Sequence, residues 1–514
     1  MFKRQTSVFY ASAGLVLLLI LLGVVRPVEL QQATEQIKQL ITVHFGWLYL
    51  LLVTTILAFC AFFIFSPMGQ IRLGEPDSKP EYSTLSWIAM MFSAGMGIGL
   101  VFYGAAEPLS HFAISAPYAQ VGSQQALADA FRLTFFHYGL HAWAVYGVVA
   151  LALAYFGFRK QEKYLLSVTL KPLFGAKTDG FWGKLVDTIT VLATVIGVAT
   201  TLGFGAAQIN GGLSYVFGLD NTISIQIIII VVATVLFLLS ALSGLGKGVK
   251  VLSDFNLLLA LLLLAVVVGI GPTTKIFDVL TTSLGNYLQT LPEMSLGTAA
   301  FNDSQRPWTN QWTIFYWAWW ISWSPFVGVF IARISRGRSI REFLTVVLIV
   351  PTLLSLLWFS AFGTLSTSAQ MSGLDLRKFA TEEILFATFG QYSQGTILSI
   401  LAIILVMTFF ITSADSATFV LGMLTEDGQL TPTNQTKVTW GVALSIMAIV
   451  LLLSGGLTAL QNILIIVALP FSFVLILVLA SLFKELLYEK HEMGLSITPD
   501  RYPKKNAPFK SYDE

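Results

Sequence analysis

Residues 312–326, WTIFYWAWWISWSPF, place eight aromatic side chains in fifteen positions, with four tryptophans between Tyr316 and Trp323. Such a cluster holds no nucleophile, no acid and no metal ligand. It can attract a cation through the negative faces of its rings, and the cation it suits best is a quaternary ammonium, which has no proton to hydrogen-bond. At about 100° per residue on a helix, Trp312, Phe315, Tyr316, Trp319, Trp323 and Phe326 share one stripe, Trp320 flanks it and Trp317 points away. Helix packing or an interfacial aromatic belt would also use such a stripe. A belt collects at the headgroup level, however, whereas fourteen helical residues carry this stripe about 20 Å along the axis.

Two further stretches carry polar chemistry. In SAGMGIGLVFYGAAEP, residues 93–108, Gly95, Gly97 and Gly99 alternate within an apolar run. They fall on different faces of a regular helix, so GxxxG-type packing fits them less well than local unwinding, which frees backbone carbonyls for a cation and amides for a carboxylate. In FFITSADSA, residues 409–417, Phe409, Thr412, Ser413 and Ser416 share a face, and the hydroxyls could serve a small hard cation. The competing reading is that these hydroxyls bond the carbonyl one turn back. Asp415 leaves that face and is read as a brace to a neighbouring helix, since a bare carboxylate is costly in a bilayer.

The elements that must position these residues follow from composition. Of 514 residues, 55% are hydrophobic and only 11% charged, which describes a polytopic membrane protein. Twelve runs are long and apolar enough to span. With both termini inside, seven of the thirty lysines and arginines stay outside, namely Arg26, Lys38, Arg132, Lys275, Arg306, Arg377 and Lys378. The single cysteine, Cys60, excludes a disulfide framework, and a net charge of +2 without a basic face excludes nucleic acid as a partner. No catalytic triad, phosphate loop or metal-ligand cluster is visible, so an enzyme is not expected.

The glycine run, the tryptophan box WAWWISWSPF with its continuation RISRGRSIREF, and ITSADSA together resemble the betaine/choline/carnitine transporter family, and within it the bacterial sodium-coupled glycine betaine members. The resemblance runs from the second span to the twelfth. It implies an all-α membrane protein of twelve helices, usually a homotrimer, in the bacterial plasma membrane. Residues 1–84 would hold the cytoplasmic N-terminus and helices 1–2. Residues 85–271 would form the first inverted repeat, 272–311 an extracellular connection, 312–483 the second repeat and 484–514 a cytoplasmic tail. The third and eighth spans, interrupted by glycine and by Pro325, would open the two repeats. SGLGKGVKVLSDFN, residues 243–256, resembles the family's amphipathic connecting helix at trimer contacts. The tail is read as a solvated end whose lysines can meet anionic lipid.

The same resemblance assigns residues. Trp319, Trp320 and Trp323 match the family's aromatic box, Phe326 lies one turn further, and HYGLHAWAVY, residues 137–146, supplies Trp143 and Tyr146. Tyr138 departs from the tryptophan of the family pattern, keeping a ring face but adding a hydroxyl. His137 and His141 are read as hydrogen-bonded packing residues. For one sodium, Ser93, Met96 and Phe409 would give backbone carbonyls, and Thr412 and Ser413 hydroxyls. A second sodium site keeps Thr194, but Val198 replaces its partner threonine, and a methyl cannot replace an oxygen. Gly99 stands where choline-accepting members tend to carry an acid, which favours a zwitterion. The expected function is sodium-coupled uptake of glycine betaine for osmoprotection, with no cofactor beyond the coupling ion. The alternatives are a sodium-independent exchanger, choline or ectoine uptake, and a non-transporting osmosensor or receptor.

Overall fold

The computed structural model describes residues 5–95, 97–242 and 246–495, with the side-chain surroundings of residues 92–95 and 246–250 left aside. The described residues are helical and contain no strand beyond one isolated bridge between Arg72 and Ser339. Among the described residues, ten helices are long and apolar enough to cross a membrane. Their outward faces are apolar: Leu17, Leu18 and Val24 on α1 (Ser7–Val25) are exposed, as are Val231, Val235 and Leu239 on α9 (Ile223–Leu242). Leucine and valine in such numbers on an outer face suit lipid and not water.

The second helix, α2 (Pro27–Phe65), starts well before the apolar run that begins near residue 43, because Pro27 sits at a first-turn position where its missing amide costs nothing. The glycine run breaks a helix in two, α3 (Thr84–Gly95) and α4 (Ile98–Leu109), with Gly97 extended at φ −144°, ψ −165°. A second break was not anticipated. In HYGLHAW the chain divides into α5 (Gln124–Tyr138) and α6 (Leu140–Ala154) at Gly139, and the amide freed there, that of Leu140, donates to the Tyr287 hydroxyl at 3.1 Å. A Cβ at Gly139 would lie 2.7 Å from that hydroxyl, so glycine is needed for the close approach.

After the short α7 (Lys171–Phe174) comes the long α8 (Phe181–Phe217), then α9 and α10 (Gly246–Ile270). The expected amphipathic connector at residues 243–256 is corrected here. Its residues 243–245 lie outside the described residues, and from Gly246 onward the segment is the first part of continuous α10. The amphipathic helix instead is α11 (Thr273–Leu296), in the stretch read only as a connection, and it supplies Tyr287.

The short α12 (Arg306–Gln311) leads into α13 (Thr313–Ile334), which carries the tryptophans. Contrary to expectation, Pro325 does not interrupt it. The carbonyl of Ile321, four residues back, loses its backbone donor at the proline and accepts the Ser324 hydroxyl at 2.8 Å instead, so the helix runs on. The remaining helices are α14 (Ile340–Met371), α15 (Ile384–Phe389), α16 (Gly395–Thr425) and α17 (Asn434–Glu492). The last is 59 residues long and leaves helical geometry at Gly455 and Gly456, which divides it into two arms. The tryptophan helix α13 packs against α6, α8, α17, α3 and α2, which puts it at the centre of the molecule.

Candidate functional site: an aromatic box

Three tryptophans of α13 and the two interrupted helices enclose a cavity. Trp319, Trp320 and Trp323 form one wall, Tyr138 of α5 with Trp143 and Tyr146 of α6 form another, and Gly97 and Gly99 close it from the third span. The break in that span explains why alternate glycines serve one side: with Gly97 extended, Gly97 and Gly99 both face tryptophan rings. A Cβ at Gly99 would come within 2.8 Å of Trp319 Cη2, and one at Gly97 within 3.3 Å of Trp323 Cη2. Unwinding and close packing, which compete on sequence alone, are therefore both present.

The orientation of the rings is fixed by their own donors. Trp319 Nε1 donates to Thr201 Oγ1 at 3.1 Å, Trp320 Nε1 to the carbonyl of His137 at 2.9 Å, and Trp323 Nε1 to the carbonyl of Gly197 at 3.1 Å. Trp319 and Trp320 lie nearly parallel, 10° apart at a centroid distance of 5.4 Å. Tyr138 and Tyr146 meet Trp320 edge-on, at 5.3 and 6.0 Å. With all three indole N–H groups committed to protein, what the tryptophans have left to offer the cavity is π surface. No acidic or basic side chain lines it among the described residues. The Tyr146 hydroxyl, fully buried, has no hydrogen-bond partner, and a buried donor of this kind calls for a ligand atom.

Other sequence-predicted residues fall around this box. Phe326 is not part of the lining; it packs edge-on against Trp323 at 5.4 Å, one turn further along. The upper part of the stripe also turns to packing, with Phe315 against Phe204 and Tyr316 against His137. Trp317 points away as expected and stacks on His141 at 5.3 Å. Both histidines are hydrogen-bonded in the packed interior: His141 Nε2 with Ser295 Oγ at 3.0 Å, and His137 with Thr313 and Glu107. The surroundings of Gly95 lie outside the described residues.

The proposed ion ligands are placed in part. Thr412 Oγ1 faces the carbonyls of Thr408 at 3.0 Å and Phe409 at 3.2 Å, so the back-bonding reading holds, and it accepts from Asn256 Nδ2 of α10 at 3.0 Å. Ser413 beside it is half-buried. Met96 and the surroundings of Ser93 lie outside the described residues. Thr194 is buried and donates to the carbonyl of Thr190 at 2.8 Å, which leaves its lone pairs free, while Val198 is fully buried and brings no oxygen. Asp415 braces α9, accepting from the Ser240 hydroxyl at 2.5 Å.

Sequence reasoning missed Thr201 and Ser355 in the lining, which nothing in their local sequence marks. It also passed over Glu107, fully buried in α4 beside Pro108, although a carboxylate in an apolar span is a signal in itself.

With this geometry in place, the comparisons with known proteins converge. The sequence profile of the BCCT, betaine/carnitine/choline family transporter, matches residues 7–491. The chain is 54% identical to the glycine betaine transporter OpuD of Bacillus subtilis (strain 168), over 96% of each protein. It is 42% identical to the ectoine/hydroxyectoine transporter of Virgibacillus pantothenticus, over 93% of this chain and 95% of that one. To the glycine betaine transporter of Acinetobacter baylyi it is 40% identical, over 95% of this chain and 74% of that one. A match of this extent, on a many-helix membrane protein, means that the chain is a transporter and no enzyme, and that it belongs to the betaine/carnitine/choline transporter family.

Proposed function

We propose that the protein takes up a zwitterionic quaternary-ammonium osmolyte, most simply glycine betaine, by sodium symport with alternating access, for osmoprotection at the bacterial plasma membrane. The observation that carries the reading is the commitment of the three α13 tryptophan N–H groups to protein around a cavity with no acid among its described lining residues. A cavity that offers ring faces and no carboxylate suits a cation carrying its own counter-charge, because an unpaired net charge would be left buried. The architecture we assign is twelve spans, counting the broken third span as one and the two arms of α17 as two. In it two helices precede a pair of inverted five-helix repeats, both termini are cytoplasmic, and the assembly is a homotrimer in contact with lipid. Sodium is placed at Ser93, Met96, Phe409, Thr412 and Ser413, where it would steady the opened third span. Thr194 would hold a second ion only with help from another oxygen.

Uptake of labelled glycine betaine into proteoliposomes, with sodium replaced by potassium, tests the coupling. Loss of accumulation above the outside concentration is expected, and unchanged accumulation would leave a sodium-independent exchanger as the better reading. Binding without any accumulation would leave a receptor. Ectoine uptake is a second reading, favoured by the similarity to the ectoine/hydroxyectoine transporter of Virgibacillus pantothenticus and by the smaller ring at Tyr138. Competition of labelled betaine by unlabelled ectoine separates the two.

The free hydroxyl of Tyr146 fits the carboxylate of such a zwitterion. Tyr146→Phe is expected to weaken glycine betaine about tenfold, as for a hydrogen bond to a charged group. Choline has no carboxylate, and its strength as a competitor should not change. An equal loss for both would show that the hydroxyl does not meet the carboxylate.

A further inference from the structure

Behind the box lies a fully buried carboxylate that the binding reading does not use. Glu107 Oε1 accepts from His137 Nδ1 at 2.7 Å and lies 3.3 Å from His111 Nε2, and Oε2 accepts from the Tyr316 hydroxyl. His137 Nε2 faces the Thr313 hydroxyl at 3.0 Å, so one tautomer satisfies both ring nitrogens, with Nδ1 donating to the glutamate and Nε2 accepting from the threonine. The arrangement leaves Tyr316 with its only proton committed to Glu107 and its oxygen free to accept. The group in reach of that oxygen is the Tyr138 hydroxyl at 3.3 Å, which also lies 3.2 Å from the carbonyl of Gly99.

We propose that Glu107 is a positioning residue for the aromatic box, acting through Tyr316 on Tyr138. This rests on the reading of the box as the osmolyte site. Tyr138 is the wall residue that replaces an indole with a phenol, and its ring is held between Phe359, at 4.3 Å, and Trp320, at 5.3 Å. Its single proton has two acceptors, one on the interrupted third span and one on the continuous α13. With His137, His111 and Tyr316 all turned toward it, Glu107 takes the Tyr316 proton, which turns that proton away from Tyr138 and keeps the second acceptor available. A neutral amide at residue 107 has a different choice. Its carbonyl would face the histidine and its NH₂ would face Tyr316, so Tyr316 would have to accept there and aim its own proton at Tyr138. Tyr138 would then accept from Tyr316 and give its own proton to the carbonyl of Gly99, so the wall would be pinned to the third span and to the tryptophan helix at once.

The test is a double-mutant cycle on glycine betaine uptake in proteoliposomes, with protein amount and monodispersity checked for each variant. Tyr316→Phe keeps the ring, leaves Glu107 with its histidines and cuts the chain. It should raise KM roughly fivefold with Vmax changed by less than about twofold, the pattern of lost site geometry. Tyr138→Trp removes the hydroxyl that the chain serves, and adding Tyr316→Phe to it should raise KM no further. Glu107→Gln, if it reaches the membrane in normal amount, reverses that bond without cutting it; it should shift KM at least about twofold in the Tyr138 background and leave it unchanged in the Tyr138→Trp background. An equal rise in both backgrounds, an unchanged KM, or a fall in Vmax alone would overturn the relay. If the unaltered protein itself takes up no betaine, the osmolyte reading fails and the relay with it. If that uptake is intact and the variants show no coupling, the relay alone fails.

Discussion

Trp323→Leu is expected to weaken betaine binding about thirtyfold, the equivalent of a desolvated cation–π contact worth about 2 kcal/mol, and to leave almost no uptake at low substrate. Leucine retains apolar bulk, so the core around α13 should stay folded, while the ring face and the donor to the carbonyl of Gly197 are both lost. Phe326 and Gly97 would each lose the ring they pack against, which a leucine covers only in part. Calorimetric titration of the purified variant with glycine betaine, beside a thermal melt, checks both halves of the statement. Binding within about threefold of the unaltered protein would mean that the tryptophans are packing and that the cation sits elsewhere.

The second large effect is expected from a single methyl group. Gly99→Ala would place a Cβ 2.8 Å from Trp319 Cη2 and 3.3 Å from Cζ2, inside contact distance. That indole cannot easily retreat, because Thr201 holds its nitrogen and Trp320 lies parallel to it. Overpacking of this kind costs about 1–3 kcal/mol, and a box assembled with one ring displaced should bind betaine at least roughly tenfold more weakly. Gly97→Ala, at 3.3 Å from Trp323, should be milder. Side-by-side KM values for the two variants check the order. A larger effect at Gly97 would mean that the backbone of the break matters more than the room it leaves for the rings.

The membrane class and the aromatic stripe of α13 were legible in the sequence for a physical reason, whereas Tyr138, Trp143 and Tyr146 entered only through the family resemblance. Apolar runs of spanning length and a dense aromatic stripe are local patterns, and a run of amino acids displays them without any tertiary context. The split of the stripe was not legible. Trp312, Phe315 and Tyr316 share a helix face with Trp319 and Trp323, yet only the latter two line the cavity, because α4, α5 and α8 bring other groups against the rest. Proline misled for a similar reason: its effect on α13 depends on whether a neighbouring hydroxyl takes the orphaned carbonyl, and Ser324 does. The break at Gly139 could not be read either, since it is held by Tyr287, almost 150 residues away in the chain. Glu107 and Asn256 gain their meaning in the same way, through partners on other helices.

The uninterrupted course of α13 makes the box unequal in its mechanics. The tryptophan side is a strut, since the hydroxyl of Ser324 closes the gap that proline would open in its ladder. Opposite it stand two jointed pieces, α3–α4 and α5–α6, whose ladders are cut at Gly97 and Gly139. Any bending would fall on the joints and spare the strut. In the proposed site the strut would fix where the positive centre of a cargo molecule rests, and the jointed sides would set how wide a molecule can be and still be enclosed.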